Sequence, residues 1–148
     1  MAGVNAVAQT VECTTGTSVI TLLQLLAATN QRVKVKEISI SFQGISNTAM
    51  PIQVDVLRQA TAGTMSALTP VKENASDQET LQTTAQYLAT VEPTPGNIVM
   101  TENVHPQGGY TWQAPFGGEI IVQGGTRLGL RVTAGASTTA VARMVFEE

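Results

Sequence analysis

The stretch HPQGGYTWQAPFGGEIIVQGGTRLGLRVTAGASTTAVARMVFEE, residues 105–148, decides how this chain folds. Leu128, Leu130 and Val132 alternate with Arg127 and Arg131, and Ala140, Ala142, Met144 and Phe146 form a second alternating row. A repeat of two belongs to a strand with one buried face, whereas a helix repeats every 3.6 residues. Gly108-Gly109, Gly117-Gly118 and Gly124-Gly125 punctuate the pattern, and glycine pairs supply the positive φ that tight connections need. Strands are therefore expected over 98–105, 109–115, 119–123, 127–134 and 138–147.

The same rhythm extends toward the N-terminus. Val33 and Val35 share one parity while Ile38, Ile40 and Phe42 take the other. One extra residue near Lys36–Glu37 would re-aim every later side chain, so a β-bulge is expected there. Ile52, Val54 and Val56 follow Pro51, which suits a strand's first residue or an edge. Residues 65–71 read as a weak strand, 72–79 as a surface loop, 84–92 as a strand and Pro93-Thr94-Pro95-Gly96 as a turn. Ser76 and Glu79 have capping-box spacing. Residues 19–28 are ambiguous, because Val19, Leu22, Leu23 and Leu26 also fit a helical stripe. They are read as a short strand entering one helical turn. Over 6–13 the parity puts Val7, Val11 and Cys13 on one side and Ala8, Thr10 and Glu12 on the other.

Eight to ten short strands at this spacing, with at most one or two helical turns, predict an all-β antiparallel sandwich. The division expected is an extended N-terminal arm, residues 1–12, and a single sandwich domain over 13–148. At 148 residues with 43% hydrophobic content a core is available without disulfides,. The single cysteine, Cys13, forms no intramolecular bridge and reads as a small buried hydrophobe.

Charge is scarce. Only 13% of residues are charged, against 21 Thr and 12 Gln, and soluble domains usually carry about 25%. Either much of the surface is neutral or neighbouring subunits cover it. A net charge of −3 argues against a nucleic-acid partner, which needs a clustered basic face. The one basic group, Arg32, Lys34 and Lys36, reads as a solvated strand face. No signal-peptide pattern precedes the domain, and the ten apolar residues of 19–28 are too few to span a bilayer. The expectation is a protein made in the cytoplasm, without nucleic-acid or membrane partners.

Catalytic chemistry has little to draw on. His105 is the single histidine, no CxxC or HxH pattern supports a metal, and no GxSxG elbow supports a nucleophile. The eleven acids are dispersed, so their spacing supports no paired-carboxylate mechanism,. No glycine-rich segment matches a phosphate cradle. The expectation is no enzyme, no metal and no cofactor. His105 reads as an interface or turn residue that hydrogen-bonds locally. Tyr110 and Trp112 share a strand face. With His105 they offer a stacking platform for a sugar ring, or else they pack in the core or against another subunit.

The phrases VKVKEISISFQG (33–44), PIQVDVLRQATAG (51–63), HPQGGYTWQAPFGG (105–118), EIIVQGGTRLGLRV (119–132) and the closing ARMVFEE (142–148) resemble a family of small tailed-bacteriophage head proteins. These are the decoration, or cement, proteins, and the resemblance covers about residues 27–148. It implies a jelly-roll sandwich on the outer capsid surface, commonly a homotrimer at three-fold axes, that bridges subunits of the major capsid protein. It brings no active site. The virion contacts expected on this reading are Val4, Val7 and Val11 of the arm, adding a strand to a neighbouring sheet, together with His105, Tyr110, Trp112 and Phe116. The rivals are a carbohydrate-binding fibre or lectin-like module using Tyr110 and Trp112, and a tail or neck component with the same sandwich.

Overall fold

The computed structural model describes residues 3–148, which form thirteen strands in two facing antiparallel sheets; the described residues include no helix. One sheet contains β1 (Asn5–Gln9), β2 (Cys13–Thr14), β4 (Val33–Phe42), β7 (Val71–Lys72), β10 (Gly109–Gln113), β11 (Ile120–Val122) and β13 (Thr139–Glu147). Its order is β10-β4-β13-β1-β7, with β11 also on β4 and β2 also on β13. The other contains β3 (Ile20–Leu26), β5 (Ile52–Gln59), β6 (Thr64–Leu68), β8 (Thr84–Val91), β9 (Pro95–Val104) and β12 (Arg127–Thr133), in the order β6-β8-β3-β12-β5-β9. The expected β-sandwich forms. Its strand count exceeds eight to ten because the expected arm contributes β1, the 65–71 segment divides into β6 and β7, and β2 is a separate two-residue piece.

Paired connections carry the chain between the sheets. Residues 27–32 leave β3 beside residues 123–126, which return to β12. The Ala27 N–H donates to the Thr126 carbonyl at 3.1 Å, and the Gly125 N–H donates to the Ala27 carbonyl at 2.9 Å. Gly125 has φ +77°, and a side chain at Gly124 would meet the Ala28 and Gln31 carbonyls at 2.9 Å. Only glycine permits that approach, which accounts for this Gly-Gly pair. At the opposite end, residues 43–51 run beside 105–108, with the Gly44 N–H on the Pro106 carbonyl at 2.7 Å. From β3 to β12 the chain is thus an antiparallel ribbon rolled on itself.

The alternating rows meet between the sheets. Leu128, Leu130, Val132, Leu23 and Val56 face Ile38, Ile40, Ala142, Met144 and Phe146, all buried. The bulge expected in β4 lies at Lys36, because Val145 pairs with Glu37 and Phe146 with Val35. Several local expectations are corrected. Residues 20–26 form one unbroken strand without a helical turn. Its pairing skips Leu22 between Leu130↔Leu23 and Arg131↔Thr21, and this bulge makes adjacent leucines both face inward. In β1 the core takes Ala6 and Ala8, paired with the large Phe146 and Met144 of β13, whereas Val7 lies on the outer face. At the 74–77 turn Asn74, rather than Ser76, caps, accepting the Ser76 N–H at 3.1 Å. Residues 92–94 cross between strands, and Pro95 already opens β9.

The outer face of the six-stranded sheet carries a buried polar layer. The connections 60–63 and 92–94 lie over it. The Gln24 Nε2 donates to Gln59 Oε1 at 2.7 Å, the Gln59 Nε2 to Thr21 Oγ1 at 2.9 Å, and the Thr21 hydroxyl to Glu92 at 2.7 Å. Gly129 sits beneath the Gln59 amide, where any side chain would collide,. Each member satisfies the next, so removing one strands its neighbours without water. Gln59→Ala is expected to cost about 2 kcal/mol in urea unfolding, with an unchanged m-value.

Candidate functional site

The charged groups are largely spent on holding the fold. Asp55, 1% exposed, sits against Arg131 at 3.0 Å and accepts from Thr101 and Gln53. Burial pushes its carboxyl up, but the hydrogen bonds from Gln53, Thr101 and Arg131 and the Arg131 charge hold it below the ordinary aspartate value,. Gln113 and Arg143 lower Glu37 in the same sense. Lys36, with Lys34 nearby, lowers Glu147. Lys36 lies 2.5 Å from Glu147, so part of the basic run at 32–36 is neutralised within its own sheet. Among the described residues no three His, Cys, Asp or Glu side chains come together. Cys13 is buried, and burial pushes its thiol up.

The residues expected to make contacts separate into five places. Val4 is buried at one end of the sandwich, exchanging backbone hydrogen bonds with Glu148 at 3.0 and 3.1 Å. Val7 is half-buried in β1 between β13 and β7. The expectation of a separate arm over 1–12 is corrected here for the described residues: 5–9 are a strand of the sheet, paired along their whole length with β13 and covered on the other side by β7 at Ala6 and Val7, while residues 1 and 2 lie outside the described residues. Val11 is exposed just past β1, at the end where Glu12 accepts from Gln43 at 2.5 Å.

His105 is exposed at that same end and hydrogen-bonds locally. Its Nδ1 accepts the Gln107 N–H at 3.1 Å, and its Nε2 lies 3.4 Å from the Asn47 carbonyl. Tyr110 and Trp112 both point from the edge strand β10 toward the core, half-buried over Ile40 and Ile38. Burial and the nearby Glu102 raise the Tyr110 hydroxyl. Both rings therefore commit part of their surface to the core. Titration with simple sugars is expected to leave Trp112 fluorescence unchanged, and quenching with saturation would restore the sugar platform.

Phe116 stands alone. It is fully exposed at the tip of the turn 115–118, which the Gly118 N–H closes on the Pro115 carbonyl at 2.8 Å. Gly117 has φ +77°, the value that the third residue of a type II turn requires. The hydrophobic side chain is thus held outward by a well-defined backbone.

Two further exposed hydrophobics escaped sequence reasoning. Ile45 and Met50 are 96% and 73% exposed and border a groove of about 540 Å³. Its floor and walls include Ile52, Pro106, Gly135 and Thr139, and no charged residue lines it. The one available signal was the pair of large apolar residues in an otherwise small and polar loop, GISNTAMP. The groove itself draws on segments near 45, 106 and 137, which only the fold brings together. A second groove at the opposite end, about 670 Å³, holds Arg58 and Arg127, and Arg58 is tied to the Ile121 carbonyl at 2.7 Å.

Edges complete the surface. β9 is a ten-residue edge strand with Ile98 and Val99 exposed, but its pairing to β5 is broken twice by bulges and it opens on a proline. Those are the devices that blunt sheet-to-sheet pairing. Comparison with protein-family models, curated proteins and solved structures finds no match. The surface itself can offer neutral, shape-dependent contact at one end and at the Phe116 tip.

Proposed function

We propose that this chain is a structural virion protein: a decoration protein that binds the outer surface of a bacteriophage head and bridges subunits of the major capsid protein. The observation that carries the reading is the division of labour among its side chains. Its ion pairs and buried polar groups brace the sandwich, while Phe116, Ile45 and Met50, large hydrophobics, are left to solvent. On this reading the protein is no enzyme, carries no cofactor, and works as a homotrimer without nucleic-acid or membrane partners. The rolled antiparallel ribbon supports the jelly-roll form that the sequence resemblance implies.

Weak individual contacts suffice for such a role. A trimer held at several points gains avidity from effective concentration, without any single strong interface. A low charge suits faces that neighbouring subunits cover, since charged residues are depleted at interface cores. The test uses phage heads from which the gene for this chain has been deleted. Purified protein added to them is expected to sediment with the heads and to add density on the outer surface. Protein left in the supernatant would overturn the reading, and density confined to the tail or neck would move it to the rival component.

A further inference from the structure

We infer that Phe116 of one copy inserts into the Ile45–Met50 groove of a second copy, a head-to-tail contact that builds the oligomer. The inference rests on the self-association in the proposed function and is independent of what shell the oligomer binds. Its first support is the knob. Phe116 makes no use of its side chain within its own chain, being fully exposed, and the Pro115–Gly118 turn fixes its direction. Because the turn sets its backbone beforehand, docking has only the two side-chain torsions of Phe116 left to order.

The second support is the groove. A void of about 150 Å³ lined by apolar side chains is already enough for a benzene ring, and this groove offers about 540 Å³. Its neutrality matches the knob, whose turn 114–118 (APFGG) carries no charge either. A charged partner would leave its ions unpaired there. Met50 is suited to close over an incoming ring, because an unbranched thioether adapts its shape to what it contacts.

The third support is placement. The Phe116 loop springs from β10 and β11 opposite Lys36, with the Ala114 N–H on the Lys36 carbonyl at 2.8 Å. The groove begins past the end of β4, at Gln43. Seven residues of extended strand at about 3.3 Å each put about 23 Å between them. The knob therefore cannot fill the groove of its own chain. A knob and a groove on different parts of one molecule make a heterologous contact, which closes into a ring when its rotation permits. A three-membered ring meets the homotrimer of the proposed function.

The experiment compares the oligomeric mass of the wild-type chain with Phe116→Ala, Met50→Lys and Gly117→Val by sedimentation velocity over a concentration series. All three positions are exposed or in a turn, and circular dichroism checks that each variant folds. The wild type is expected to be oligomeric. Phe116→Ala and Met50→Lys are expected to weaken association by about tenfold or more per contact. Gly117→Val keeps the phenyl ring but not its aim, since a β-branched residue resists φ near +77°,, and is expected to weaken association as well. Phe116→Cys mixed with Met50→Cys is expected to form a disulfide-linked pair that neither forms alone; the native Cys13 is buried. A Phe116→Ala protein with the wild-type mass at every concentration, and no crosslink in the mixture, would overturn this contact while leaving self-association intact. A wild type that is monomeric throughout would overturn self-association as well.

Discussion

Phe146→Ala is expected to cost about 4 kcal/mol of unfolding free energy, the largest effect of any single side-chain truncation considered. Phe146 is fully buried, in the row that β13 turns toward the opposing sheet, and lies beside the bulge at Lys36. Truncation removes the transfer energy of the ring and leaves a cavity that two hydrogen-bonded sheets cannot close by shifting. Domains of this size hold about 5–15 kcal/mol in all, so the variant should unfold near the edge of its working range. Urea or thermal unfolding reads it. A loss below about 1 kcal/mol would mean that β13 does not occupy the centre of its sheet as described.

Asp55→Ala is expected to cost about 3 kcal/mol, because deleting one partner leaves a largely buried Arg131 without its counter-charge. Thr101 and Gln53 lose their acceptor at the same time. The pH dependence separates this from simple packing. Asp55 is held below its ordinary value of 3.8 in the folded chain, so the folded state binds its proton less readily than the unfolded state. The stabilisation is complete above the ordinary value and disappears as pH falls through the lower folded one. The wild type should therefore lose stability on acidification with a steeper slope than Asp55→Ala. Glu37 and Glu147 are lowered as well, so the variant keeps part of the acid limb. Parallel acid limbs for the two proteins would contradict the role given to Asp55.

The sequence made the sandwich legible wherever one strand face alone meets the core. The row Ala140 to Phe146 and the opposed leucines and arginines of β12 are of this kind, and the parity break in β4 pointed to a bulge near Lys36–Glu37, where the register does shift. Legibility failed where that condition failed. β3 is buried on both faces and skips Leu22, so its alternation is lost and its leucines imitate a helical stripe. β1 puts Ala6 and Ala8 inside, beside the large Phe146 and Met144 of β13, and a valine outside. An alanine row carries little pattern, and this is why a strand of the sheet read as a separate arm.

The proposed contact surface was less legible than the fold. Phe116 stood out as an aromatic in a Pro-Phe-Gly-Gly turn, yet its complete exposure depends on which way that turn faces. Tyr110 and Trp112 alternate as surface residues would, but β10 lies at a sheet edge, where one face still looks inward. The groove joins three segments that are distant along the chain. Local sequence pattern contains no term for such an encounter.

As a decoration protein, the role proposed above, this chain would strengthen a shell by adhering to it. The most direct measurement is the temperature at which phage heads lacking the protein release their DNA, followed by a dye, with and without purified protein added back. Added protein is expected to raise the release temperature in proportion to its occupancy and to change nothing for heads already decorated. An unchanged release temperature at full occupancy would contradict that role.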